Sequence, residues 1–233
     1  MPPPPAPLSA AQRRAFRTLA EATPGIDRAV YEAAGRDWRE PVIGLGRADA
    51  PLCFMGRDPG AEEAKQGEPF IGAGGKKVRT ALFRQLHPQA AHTPTPEELR
   101  AVGGEVFWLN TVPYKPVGNK AWSPAVKQRF HGPMLGLLLA HWQGRHIVTL
   151  GKEALLWFGI GQPAATQAAL LAFWAREDCF TSQLDVSRAA EGGTARSFTL
   201  HPLPHPSPAN ATWAGRFAGL LEAHLRTLLP PGR

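Results

Sequence analysis

Four apolar runs, each too short for a helix, recur along the chain with helical stretches between them: Leu52–Gly56, Val106–Asn110, Ile147–Gly151 and Ser197–Leu200. That alternation constrains the fold more than any other feature. A strand buried on both faces reads as a continuous apolar run, because neither face needs polar residues. Parallel strands in turn need long crossovers, usually helical. The stretches Gly75–Leu86, Pro124–Trp142, Lys152–Phe158 and Ala164–Arg176 read as such helices. Ser9 is placed to cap a first helix closed by Pro24, and a second follows from Ile26 to about Arg36. The clearest helix is the last, where Trp213, Phe217, Leu220, Leu221, Leu225 and Leu228 recur three or four apart. The expected fold is α/β, a three-layer α/β/α sandwich around a central four-stranded parallel sheet. Segment Gly159–Ala195 reads as a helix and loop inserted before the last strand. Residues 1–8, nearly all proline at the start, read as a disordered tail, and 9–233 as a single domain.

Composition narrows the partner. Lys and Arg number 26 against 19 acidic residues, a formal charge of +7. Such an excess favours a polyanion, though by itself it fixes neither fold nor chemistry. No stretch approaches the ~20 apolar residues of a membrane span, so the expectation is a soluble, cytoplasmic monomer without membrane contact. The two cysteines, Cys53 and Cys179, are too few for a four-thiolate cluster, and no CxxC pair marks a zinc site. No metal and no cofactor is expected.

In an open parallel sheet, ligands bind beyond the carboxyl ends of the strands, so the residues after each strand carry the chemistry. After the first come Gly56-Arg57-Asp58-Pro59-Gly60 and then Gln66-Gly67-Glu68-Pro69-Phe70-Ile71-Gly72. The second ends in Asn110, followed by Val112 to Asn119. Beyond the fourth stands His205-Pro206-Ser207-Pro208-Ala209-Asn210. Each has an ordinary reading alone: a turn for Asp-Pro-Gly, backbone satisfaction for Asn110, core for Phe70, a surface loop for His205. Together they bring a carboxylate, an amide, an aromatic ring and an imidazole to one sheet edge, a combination suited to a purine or pyrimidine base.

The segment Gly56–Gly72 resembles the first motif of the uracil-DNA glycosylase superfamily. His205-Pro206-Ser207-Pro208 resembles its second, and the strand ending in Asn110 resembles its base-reading strand. Pro41–Gly46, Gln66–Gly72 and Ile147–Leu155 are most similar to the family-four and family-five branches. Two departures stand out. Those branches usually carry four cluster-ligating cysteines, which this chain lacks, so packing around Trp122 and Trp142 is expected in their place. Arg57-Asp58 also replaces the usual glutamate and small residue. Asp58 instead falls where family one places its water-activating aspartate, and Gly60 where family one has a tyrosine that screens out thymine.

The resemblance implies a base-excision repair enzyme that flips uracil out of single- or double-stranded DNA and hydrolyses its N-glycosidic bond. Asp58 would stabilise the cationic sugar and orient water, while neutral His205 would donate to the departing O2. Asn110 would read the uracil edge, Phe70 would stack on the ring, and Gly56, Arg57, Pro59 and Gly60 would line the base site. Ser207, Ala209, Asn210 and Lys115 would meet DNA. Ala209 is small for a wedge, leaving Asn210 or Trp213, and Lys76, Lys77, Lys120 and Arg216 are further phosphate candidates. Three other functions stay open: a member that traps uracil-containing DNA without turnover, a glycosylase for another deaminated base such as hypoxanthine or xanthine, and a basic α/β module unrelated to bases.

Overall fold

A computed structural model describes residues 8–190, 192–207 and 211–230. Five strands form one sheet: β1 (Leu52–Gly56), β2 (Phe107–Asn110), β3 (His146–Leu150), β4 (Leu184–Arg188) and β5 (Arg196–Leu203), in the order β2-β1-β3-β5-β4. The four strands expected from the apolar runs pair in parallel. The fifth corrects the expected four-stranded parallel sheet: β4 lies antiparallel on β5 at the edge, inside the segment read as helix and loop. Only Val186 and Arg188 of β4 are buried, while Asp185 and Ser187 face out. Such a strand draws its order from its partner rather than from its own hydrophobicity.

Alternation along the strands divides the interior in two. Cys53 and Met55 of β1 pack with Phe107, Leu109, Ile147, Phe198 and Leu200 on one face of the sheet. Leu52 and Phe54 pack with Trp108, Val148, Leu150 and Leu203 on the other. The helices, in chain order, are α1 (Ala10–Glu21), α2 (Arg28–Glu32), α3 (Ala61–Gln66), α4 (Ala73–Leu86), α5 (Pro96–Gly103), α6 (Pro124–His141), α7 (Lys152–Leu156), α8 (Ala164–Trp174), α9 (Ala211–Ala214) and α10 (Phe217–Leu228). Buried side chains of α1, α6, α7 and α8 complete the first core, and those of α4, α5 and α10 the second. The result is three layers.

Several ends follow from local chemistry. Ser9 and Gln12 make a reciprocal capping box on α1, at 3.2 and 2.8 Å. Thr95 and Glu98 do the same for α5, with Pro96 at its first turn. The run read as one last helix is broken at Gly215–Arg216. Trp142 donates to the Ala50 carbonyl at 2.7 Å and stacks at 7° on Phe198, and Trp122 donates to the Tyr114 carbonyl at 3.0 Å. Both indoles thus fill the first core, each with its N–H satisfied.

Candidate active site

The carboxyl ends of β1, β2, β3 and β5 open into a cleft of about 780 Å³, lined by residues of both candidate motifs together with Asn110 and Leu150. At its floor is Gly56. A Cβ there would lie 2.7 Å from Asn110 Oδ1 and 2.8 Å from Phe70 Cζ. Only glycine lets the amide ending β2 and the ring from the first motif close over the end of β1.

Phe70 is held in an unusual conformation, with φ +58°. Its ring lies 4.6 Å from that of Trp108, tilted by 32°. The strain is supported by Arg79 of α4, which is buried and donates to the carbonyls of Phe70 (2.8 Å), Pro69 (3.1 Å) and Leu99 (3.0 Å), and to the Glu68 carboxylate (2.9 Å). Glu63 ties the motif from the other side: its carboxylate accepts from the backbone N–H groups of Gly60, Phe70 and Gly72. Burial raises its pKa while those donors hold it down. Neither Arg79 nor Glu63 was marked by the sequence reading. Glu63 did carry a signal, since it stands three residues after Gly60, the residue that caps α3, where a capping glutamate belongs.

Asp58 follows directly. Its side chain is only 4% exposed and is gripped by both arms of Arg57, Nε to Oδ1 at 2.6 Å and Nη2 to Oδ2 at 3.2 Å. Burial raises its pKa to about 6, against the opposing pull of Arg57. The carboxylate is therefore mostly ionised at neutral pH. Arg57 is itself anchored to the Asn119 carbonyl at 3.1 Å, so the loop after β2 and the first motif are tied together at the rim.

His205 stands two residues past β5. Burial and the nearby Arg57 charge lower its pKa to about 4, so the ring is neutral. The Ser207 N–H donates to Nδ1 at 3.2 Å, which makes Nδ1 the acceptor and leaves the ring proton on Nε2. Gly151, at φ +93°, lets the end of β3 approach the ring; a Cβ there would sit 3.1 Å from that of His205.

The structure thus brings Gly56, Arg57, Asp58, Pro59, Gly60, Phe70, Asn110, His205 and Ser207 to one cleft. Lys115 is a correction. Its ammonium is buried, pairs with Asp27 at 2.8 Å and donates to the Pro116 carbonyl at 2.9 Å, so it holds the loop after β2 instead of reaching solvent for a phosphate. Ala209 and Asn210 lie outside the described residues. Trp213 is partly buried and packs edge-on against Phe180, at 4.7 Å, so it rests against the first core and does not line the cleft. Lys76, Lys120 and Arg216 are exposed.

The molecule is an α/β/α protein with a doubly covered sheet, and a neutral imidazole, a buried carboxylate, an amide and an aromatic ring meet around one cleft at the carboxyl edge of that sheet. Residues 43–228 match the model of the uracil DNA glycosylase superfamily, and the chain belongs to that superfamily. It is similar to the type-4 uracil-DNA glycosylase of Thermotoga maritima, 36% identical over 77 residues, which are 27% of this chain and 40% of that protein. The type-4 uracil-DNA glycosylase of Archaeoglobus fulgidus is 33% identical over 76 residues, 27% of this chain and 38% of its own. The chain spans about two fifths of the length of these curated relatives.

Proposed function

We propose that this protein removes uracil from DNA by hydrolysing its N-glycosidic bond, without forming a covalent bond to the sugar. The observation that carries the reading is the pairing, in one cleft, of a mostly ionised Asp58 with a neutral His205 whose proton is on Nε2. Bond cleavage leaves positive charge on the sugar and negative charge on the O2 of the departing base, so a carboxylate and a preorganised N–H donor assist opposite ends of one transition state. Asp58 faces the sugar and positions the attacking water; Arg57 favours its ionised form. His205 donates to O2. Asn110 accepts from the ring N–H and donates to the 4-oxygen, a pattern that cytosine cannot match without leaving polar groups unpaired. Phe70, fixed against Trp108, stacks on the flipped ring.

One observation favours a second reading. Both Asp58 oxygens are already engaged by Arg57, a geometry that also suits a protein that binds a flipped uracil and keeps it. Gly60 carries no side chain to screen out larger deaminated bases, and the direction in which its Cβ would point is filled by the Glu63 carboxylate. Labelled oligonucleotides carrying uracil, hypoxanthine or xanthine, single-stranded and duplex, decide between these. An alkali-labile abasic site formed from uracil DNA supports the glycosylase. Tight uracil-dependent binding with no abasic product supports the trap.

A further inference from the structure

We infer that Arg79 is a positioning residue for base removal, acting on the flipped base only through Phe70. Through it α5, which lines no part of the cleft, takes part in recognising the base. The inference rests on the proposed reading of the cleft. At φ +58° the Phe70 backbone lies in the left-handed region, where a bulky side chain is an outlier. Such a conformation persists only where the surroundings over-determine it. A relaxed, extended backbone at this position would carry the ring away from the end of β1.

Arg79 supplies that constraint on the carbonyl side. Its guanidinium donates to the Phe70 carbonyl at 2.8 Å and the Pro69 carbonyl at 3.1 Å, and reaches across to the Leu99 carbonyl of α5 at 3.0 Å. It also lies 5.1 Å from the centre of the Trp108 ring, on which Phe70 packs. Trp108 in turn donates to the Gly103 carbonyl, at the end of α5, at 2.7 Å. The stacking ring, the indole behind it and the carboxyl end of α5 thus meet on one guanidinium. Gly103 is where α5 makes way for it, since a Cβ there would overlap Arg79 Nη1. Charge pairing alone does not account for the residue. Arg79 is 4% exposed, while its carboxylate partner Glu68, at 2.9 Å, is partly open to solvent. An apolar side chain would fill this buried side of α4, beside Val78, Leu82 and Phe83, without desolvating a charge. A rigid fork of donors that serves three carbonyls at once is particular to arginine.

The test is a double-mutant cycle read in single-turnover release at saturating uracil DNA, with melting temperatures beside it. Arg79→Met, Phe70→Ala and the double variant are compared. Each single variant should slow release, Arg79→Met by about 10–10²-fold, as misplaced pocket groups do. In the Phe70→Ala background, Arg79→Met should slow release by no more than about twofold further, although it still lowers the melting temperature. A role in folding alone would slow release by the same factor in both backgrounds, and that result would overturn the inference. Gly103→Ala displaces the guanidinium from the α5 side without removing it, and decides the matter should Arg79→Met fail to fold. It should slow release about tenfold, an effect that vanishes beside Phe70→Ala. Full-rate release by Arg79→Met and Gly103→Ala, with Phe70→Ala slowed, overturns the inference alone. Phe70→Ala at the wild-type rate overturns the stacking reading and the inference together. Wild-type protein that binds uracil DNA without releasing the base overturns the glycosylase reading, and the same cycle read in uracil-dependent affinity still decides the role of Arg79.

Discussion

Gly56→Ala probes the cleft with one methyl group. The added Cβ would meet Asn110 Oδ1 at 2.7 Å and Phe70 Cζ at 2.8 Å, whereas ordinary contact begins at 3.4 Å, so each must retreat by about 0.6–0.7 Å. The Phe70 ring has little room, since Trp108 lies behind it and Arg79 fixes its backbone. Overpacking of this kind costs about 1–3 kcal/mol, which for a chain of this size lowers the melting temperature by about 2–12 °C. The kinetic effect is larger, because displacing pocket groups by a sizeable fraction of an ångström costs on the order of 10²-fold in rate. The assay is single-turnover uracil release beside thermal melting, with Gly136→Ala as control. That glycine lies inside α6 with nothing within 4 Å of an added Cβ, and alanine there should stabilise by about 0.5–1 kcal/mol at full activity. A folded Gly56→Ala protein releasing uracil at the wild-type rate would refute the placement of Asn110 and Phe70 against the base.

The pH dependence should carry the signature of Asp58. Uracil release should rise with pH through about 6 and then level, since His205, with a pKa of about 4, is already neutral there. Arg57 lowers the Asp58 pKa, so Arg57→Ala should move that limb to higher pH; a limb that stays or moves down would contradict the assignment. Because folding raises the pKa of Asp58, this group favours the folded state below the ordinary carboxylate range, and that contribution is lost as pH rises through about 6. Melting temperatures of Asp58→Asn and wild type across pH 4 to about 7 should therefore converge on the acid side and separate above, the variant being relatively more stable. Lys115→Ala breaks a buried ion pair and should cost on the order of 3 kcal/mol. It should leave the slope of DNA affinity against salt unchanged, where loss of a phosphate contact would lessen that slope by about one.

The parts of the fold legible in the sequence were those whose burial is written locally. β1 is apolar on both faces because both cores cover it, and the reading placed it at its observed ends. β4 was missed because only one face is covered, so Asp185 and Ser187 interrupt it and it resembles a loop. The Thr95–Glu98 capping box of α5 was readable and passed over. In the site, Asp58, Asn110, Phe70 and His205 were legible because chemistry-bearing residues ended or followed successive strands. Arg79 was not, because a basic residue in an amphipathic helix reads as solvated until tertiary structure points it inward at Phe70. Lys115 failed for the same reason: charge in a loop suggests DNA, and only the fold reveals Asp27 beside it.

The central claim, that Asp58 and His205 act on opposite ends of one glycosidic bond, is tested most directly by single-turnover release from uracil DNA with Asp58→Asn, His205→Ala and the double variant, beside their affinity for the same DNA. Asp58→Asn keeps the shape and removes the charge that opposes the cationic sugar. His205→Ala removes the donor to O2 and should cost on the order of 10²–10³ in rate. Release should collapse in each single variant while affinity changes far less, and the double variant should lose less than the product of the two factors, because both groups serve one transition state. Full turnover in Asp58→Asn, or in His205→Ala, would contradict the account.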